Sequence, residues 1–82
     1  MTYTRKNSGT CSSSTTVTIE DGIIKDVNVL GGCNGNLKGI MSLLQGMKAT
    51  DAIEKMEGIK CGFKNTSCPD QIALCIREAI NQ

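Results

Sequence analysis

The sequence predicts an α+β domain, a small antiparallel sheet of two to three strands followed by three helices packed on one face. Two observations carry this. The first half of the chain alternates apolar and polar residues with the period of a strand, and the second half changes to the period of a helix. Strands first and helices after favour helices gathered on one side of a sheet over an alternating βαβ arrangement. With 82 residues and no linker, repeat or charge block, the chain is one domain over residues 1–82.

Each element has a local reason. Thr2 to Arg5 is β-branched and aromatic and supplies the third, shortest strand. From Thr15 to Glu20 the alternation puts Val17 and Ile19 on one face, and from Ile23 to Leu30 it puts Val27 and Val29 on one face. Asp21-Gly22 between them is a hairpin turn signal. Leu37, Ile40, Met41 and Leu44 then recur at helical spacing, with Gly46 as the left-handed stop. A second, short helix is expected to be capped by Thr50, to bury Ala52, Ile53 and Met56, and to close at Gly58. In the last helix Cys68 is expected at the cap and Pro69 at the first helical position, with Ile72, Ile76 and Ile80 as an apolar stripe.

Composition removes several classes of function. Nine Lys and Arg against eight Asp and Glu leave a net charge of +1, too little to attract nucleic acid or an anionic membrane by charge. The absence of His excludes Ser/His and Cys/His catalytic pairs and imidazole-bound zinc. With no Trp, one Tyr and one Phe the core is thin, and a chain this short buries only roughly 60–65% of its unfolded surface, so a metal or a partner is expected to staple it. The N-terminal residues lack the apolar stretch of a signal peptide, and no run approaches the ~18 apolar residues of a membrane span. The expected setting is the cytoplasm. In that reducing compartment five cysteines read as metal ligands or redox groups ahead of disulfides.

Four of those cysteines sit at element ends. Cys11 precedes the first long strand, Cys33 follows the second, Cys61 lies past the second helix and Cys68 begins the last one. Glycines flank them, namely Gly9, Gly31, Gly32, Gly35 and Gly62, and permit the tight turns that bring thiolates together. Cys68 also gains from the positive end of a helix dipole, which favours the thiolate. The spacing is open, with 21, 27 and 6 residues between successive members and no C-x-x-C pair. Burial as small apolar residues is the competing use of cysteine. Cys75 follows that use: it lies near Ile72 and Ile76 on the last helix and is assigned to the core. The Gly31-Gly32-Cys33-Asn34-Gly35 segment has the outline of a phosphate loop but lacks the Walker lysine and the G-x-G-x-x-G spacing. Lys38, Lys60 and Lys64 lie near cysteines in sequence and read as solvated charges that partly offset a thiolate centre.

Thr66-Ser67-Cys68-Pro69-Asp70 spells the signature of the TSCPD domain, and Gly9-Thr10-Cys11-Ser12, Gly32-Cys33-Asn34-Gly35-Asn36 and Gly58-Ile59-Lys60-Cys61-Gly62 extend the resemblance along nearly the whole chain. Such domains occur as small stand-alone proteins and, in similar form, at the C-terminal end of adenosylcobalamin-dependent ribonucleotide reductases. The resemblance implies that Cys11, Cys33, Cys61 and Cys68 are the family's metal-binding cysteines, with Cys75 outside the pattern. A more distant likeness is to U-type iron–sulfur scaffolds, whose cysteines fall at the places of Cys11, Cys33 and Cys68. That family has Asp close after its first cysteine and His beside its last, where this chain has Ser12, Ser13 and Ser67.

These features support three expectations. The first is a closed four-thiolate site on Cys11, Cys33, Cys61 and Cys68, most simply zinc, that holds the fold together and is no enzyme by itself. By resemblance its protein partner is a ribonucleotide reductase. The second is an iron–sulfur cluster on the same thiolates, carried or scaffolded for another protein. The third is a thiol redox protein using Cys61 and Cys68 as a dithiol.

Overall fold

The computed structural model of the chain describes residues 1–10, 12–31, 34–59 and 66–81, with the backbone alone over 34–37. The elements are β1 (Thr2–Lys6), β2 (Ser12–Glu20), β3 (Ile23–Gly31), α1 (Asn34–Leu44), α2 (Ala49–Met56) and α3 (Cys68–Ile80). The strands form one antiparallel sheet in the order β1-β2-β3. The expected α+β arrangement is therefore present, with β1 as the third strand.

The β2–β3 hairpin turns on Asp21 and Gly22, whose φ angles of 53° and 76° are both left-handed. Two consecutive left-handed residues match the twist of antiparallel strands, and Gly and Asp adopt them at low cost. Two irregularities in the pairing decide which residues face the helices. One lies between Thr18 and Ile19, where partners jump from Asp26 to Ile24. Strict alternation through Val29 and Val27 would carry Lys25 and Ile23 inward. The bulge at Lys25 instead turns Ile24 into the core, where it is fully buried. The other, between Ser12 and Ser14, leaves Ser13 exposed and turns Ser12 to the same buried face as Thr15, Val17 and Ile19.

That face meets the helices. Val17, Ile19, Ile24, Val27 and Val29 from the sheet pack with Leu44, Ala49, Ala52, Ile53, Met56, Ile72, Ala73, Cys75, Ile76 and Ala79 in one core. The opposite face is polar, with the Thr2 and Thr18 hydroxyls 3.1 Å apart and those of Thr4 and Thr16 2.9 Å apart. Among the described residues no helix is long and apolar enough to cross a membrane.

Two helix starts differ from expectation. Thr50 does not cap α2. Lys48 holds the cap position without a side-chain bond, Thr50 lies inside the helix, and the Ala49 N–H donates to the Gly22 carbonyl at 2.9 Å. The hairpin turn thus satisfies one of the four amides that a helix start leaves without an intrahelical partner. The connection before α2 runs beside the start of β3, with Ile24 N–H donating to Met47 O at 2.9 Å and Gly46 N–H to Ile24 O at 2.8 Å. In α3 the cap is Ser67, whose Oγ accepts from the Asp70 N–H at 3.1 Å. Cys68 is consequently the first helical residue and Pro69 the second. An oxygen is the stronger acceptor for that amide, so the serine takes the cap ahead of the thiol. Ile72 and Ile76 are fully buried, while Ile80, the end of the expected stripe, is 40% exposed.

Candidate metal centre around Cys68

The first turn of α3 is tied to two other parts of the chain. Ser67 caps the helix and also donates its hydroxyl to the Ile59 carbonyl at 2.7 Å, which fixes the residue just past α2. Asp70, buried in the same turn, accepts from the Gly58 N–H at 2.7 Å and from the Thr66 hydroxyl. The Thr66 hydroxyl in turn accepts from Gln71 Nε2 at 2.9 Å. The other end of the Gln71 amide accepts from Arg5 Nη1 at 2.6 Å and from the Ser8 N–H at 3.1 Å. Thr66 therefore links the end of α2 to the β1–β2 connection through two buried side chains. Its methyl group occupies the space over Gly9, where an added Cβ would lie 2.9 Å from Thr66 Cγ2.

Cys68 is half-buried at the head of α3, and its Sγ lies 3.2 Å from Ser12 Oγ. Ser12 opens β2 and is itself buried. Its backbone pairs with Gly31, the last residue of β3. The described residues next to position 11, namely Thr10 and Ser12, the strand end at Gly31 before position 32, and Cys68 are thereby brought to one end of the sheet. Cys11, Cys33 and Cys61 themselves lie outside the described residues, as do Lys60 and Lys64; Lys38 is exposed. Among the described residues no group of three or more Cys, His, Asp or Glu side chains is close enough to hold a metal ion.

Cys75 lies in the core as expected, with no exposed surface. Its Sγ points at the Thr15 carbonyl at 3.5 Å and the Tyr3 carbonyl at 3.9 Å. Burial, and next the nearby Glu78 carboxylate, push its thiol up to about 11. Burial of that kind keeps a cysteine protonated and inert. Above it, Glu78 accepts from the Tyr3 hydroxyl at 2.7 Å and from Arg5 Nε at 2.6 Å. Those two bonds, Tyr3 first, hold its carboxyl below the usual range, and the same bond from its other side raises the Tyr3 hydroxyl.

Asn7 and Gln71 lie outside the quoted motifs, and Thr10 and Ser12, though inside Gly9-Thr10-Cys11-Ser12, carry no role that the motif assigns. The usable signals are local: Ser12 adjoins Cys11, and Ser67 precedes Asp70 by the three residues of a capping pattern.

The comparisons agree with the motif. A family model described as the TSCPD domain matches residues 1–80. No curated protein and no solved structure matches the chain.

Proposed function

The chain belongs to the TSCPD domain family, and from that premise we propose that it is a small metal-binding module whose Cys11, Cys33, Cys61 and Cys68 form a closed thiolate site for zinc. The observation that supports this reading is the setting of Cys68. Its sulfur sits at a helix start, half-exposed and beside a hydroxyl of the strand that follows Cys11. A helix start and an O–H donor both suit a sulfur carrying negative charge, as a metal-bound thiolate does, whereas the hydrogen-bond partners of the buried Cys75 among the described residues are carbonyl oxygens.

Bound there, zinc would supply cross-linking of the β1–β2 connection, the end of β3 and the head of α3. In small zinc domains such a site contributes on the order of 10 kcal/mol of apparent binding energy at neutral pH, which here would compensate a core with few aromatic side chains. Four thiolates leave no open position, so the module acts through its shape and its partner and performs no chemistry alone. The likeness to the C-terminal domain of adenosylcobalamin-dependent ribonucleotide reductases points to a reductase polypeptide as that partner.

Metal analysis by mass spectrometry and a visible spectrum, on protein purified without oxygen or chelator, test this. One zinc per chain and no colour is the expected result. Iron with sulfide and a brown colour would replace it with the cluster-carrier reading, and absence of metal would overturn both.

A further inference from the structure

We infer that Ser12 is a positioning residue of the proposed thiolate site, its hydroxyl donating to Cys68 Sγ and a polar chain behind it holding that hydroxyl in place. The inference rests on the metal-binding reading. Among the described residues Ser12 Oγ has three polar side-chain neighbours: Cys68 Sγ at 3.2 Å, Asn7 Nδ2 at 2.8 Å and Thr10 Oγ1 at 3.0 Å. Only one of them has a fixed role. The Asn7 amide nitrogen must donate, and the amide is oriented by the fully buried Thr15, whose hydroxyl donates to Asn7 Oδ1 at 2.9 Å.

The valences of Ser12 fix the direction of each bond once the sulfur is metal-bound. A hydroxyl has one proton and two lone pairs. A metal-bound thiolate has no proton to give, so the Ser12 proton goes to the sulfur. One lone pair receives Asn7 and the other is available to the Thr10 hydroxyl. Every member is then satisfied with no rearrangement of side chains. Thr10 Oγ1 also lies 3.3 Å from the Ser12 carbonyl, a second acceptor for the same proton. The β-bulge beside Ser13 is what turns Ser12 inward for this contact. Hydrogen bonds from outside the ligand set orient ligands and tune the metal, and their removal usually costs about 10–100-fold in affinity.

The test uses the full chain loaded with zinc for release kinetics, and with cobalt(II) for its sulfur-to-metal charge-transfer bands. Ser12→Ala is expected to release metal to a competing chelator at least about tenfold faster and to shift the cobalt bands to longer wavelength, because a thiolate without its donor gives up charge more easily. Ser12→Thr, which keeps the hydroxyl, should restore both. A second variant, Asn7→Asp, keeps the acceptor for Thr15 but places a carboxylate oxygen where Ser12 would donate to it. It should move both readouts in the direction of Ser12→Ala, and it carries the test should Ser12→Ala fail to fold. Unchanged release and bands in a folded Ser12→Ala, or in Asn7→Asp, would overturn the role of Ser12 and leave the metal site standing. A wild-type chain that binds neither metal would overturn the site and Ser12 together.

Discussion

The Asp70 carboxylate accepts the backbone N–H of Gly58 at 2.7 Å, so the first turn of α3 is fastened to the residue that closes α2. Asp70→Ala leaves that amide and the Thr66 hydroxyl without their acceptor, at a carboxylate that is itself buried while its donors are partly open to water. The expected loss is about 1–3 kcal/mol, read from the midpoint of urea unfolding at an unchanged slope. A loss below about 0.5 kcal/mol would mean that water replaces the carboxylate without cost.

Gly9 faces the Thr66 methyl with a φ of +74°. Gly9→Ala meets two separate costs: a left-handed backbone of about 1–2 kcal/mol, and a Cβ forced against Thr66. Combining it with Thr66→Ser, which removes the methyl and keeps the hydroxyl, should recover the second cost and not the first. Thermal unfolding of the two single variants and the double measures the coupling, and strict additivity would show that the methyl is not the obstacle.

Cys68 and Cys75 share a helix but differ in what surrounds them. Cys68→Ser should lower both metal content and stability sharply. Cys75→Ala should leave metal content near wild type and cost only a small packing loss, about 1 kcal/mol. Metal analysis of the two variants side by side decides this, and equal metal loss in both would move Cys75 into the site.

The buried Cys75 thiol also sets an alkaline limit. Its folded value of about 11 exceeds the ordinary value of 9.0, so above that ordinary value the unfolded chain loses this proton first. Stability from Cys75 is complete below pH 9 and declines as pH rises toward 11, by about 1–3 kcal/mol in all. The Tyr3 hydroxyl, raised by its bond to Glu78, adds to the decline at higher pH. Unfolding midpoints between about pH 8 and 11 should fall less steeply in Cys75→Ala than in wild type, and parallel curves would refute the assignment.

Periodicity and punctuation are enough for the sheet-then-helices order, because Val17, Ile19, Val27 and Val29 mark one face and Asp21-Gly22 can hardly do anything but turn. What escapes them depends on contacts between distant segments. Ile24 enters the core because a bulge resets the alternation, and a bulge is a property of two strands in register. Thr50 has the residue type of a cap, and nothing local shows that the Gly22 carbonyl would reach the first amide of α2. At the head of α3 the difference is one residue, since Ser67 and Cys68 both suit a helix start and only the bond to Asp70 separates them. The burial of Cys75 and the terminal place of Cys68 are legible from their helical positions alone. The company of Cys68 is not, because Ser12 reaches it, with Asn7 behind, only through the folded sheet.

Tyr3 and Glu78 are joined across 75 positions of sequence, and this long closure bears on the order in which the molecule is assembled. The β2–β3 hairpin needs only its own turn, and β1 pairs with the strand that follows it, so the sheet can form from near neighbours. Its apolar side is covered partly by α3, which follows all three strands and the other two helices in the chain. The face that carries Thr15 and Val17 therefore finds its cover in contacts distant along the sequence, the kind whose loop-closure cost slows folding more than pairing within the hairpin does.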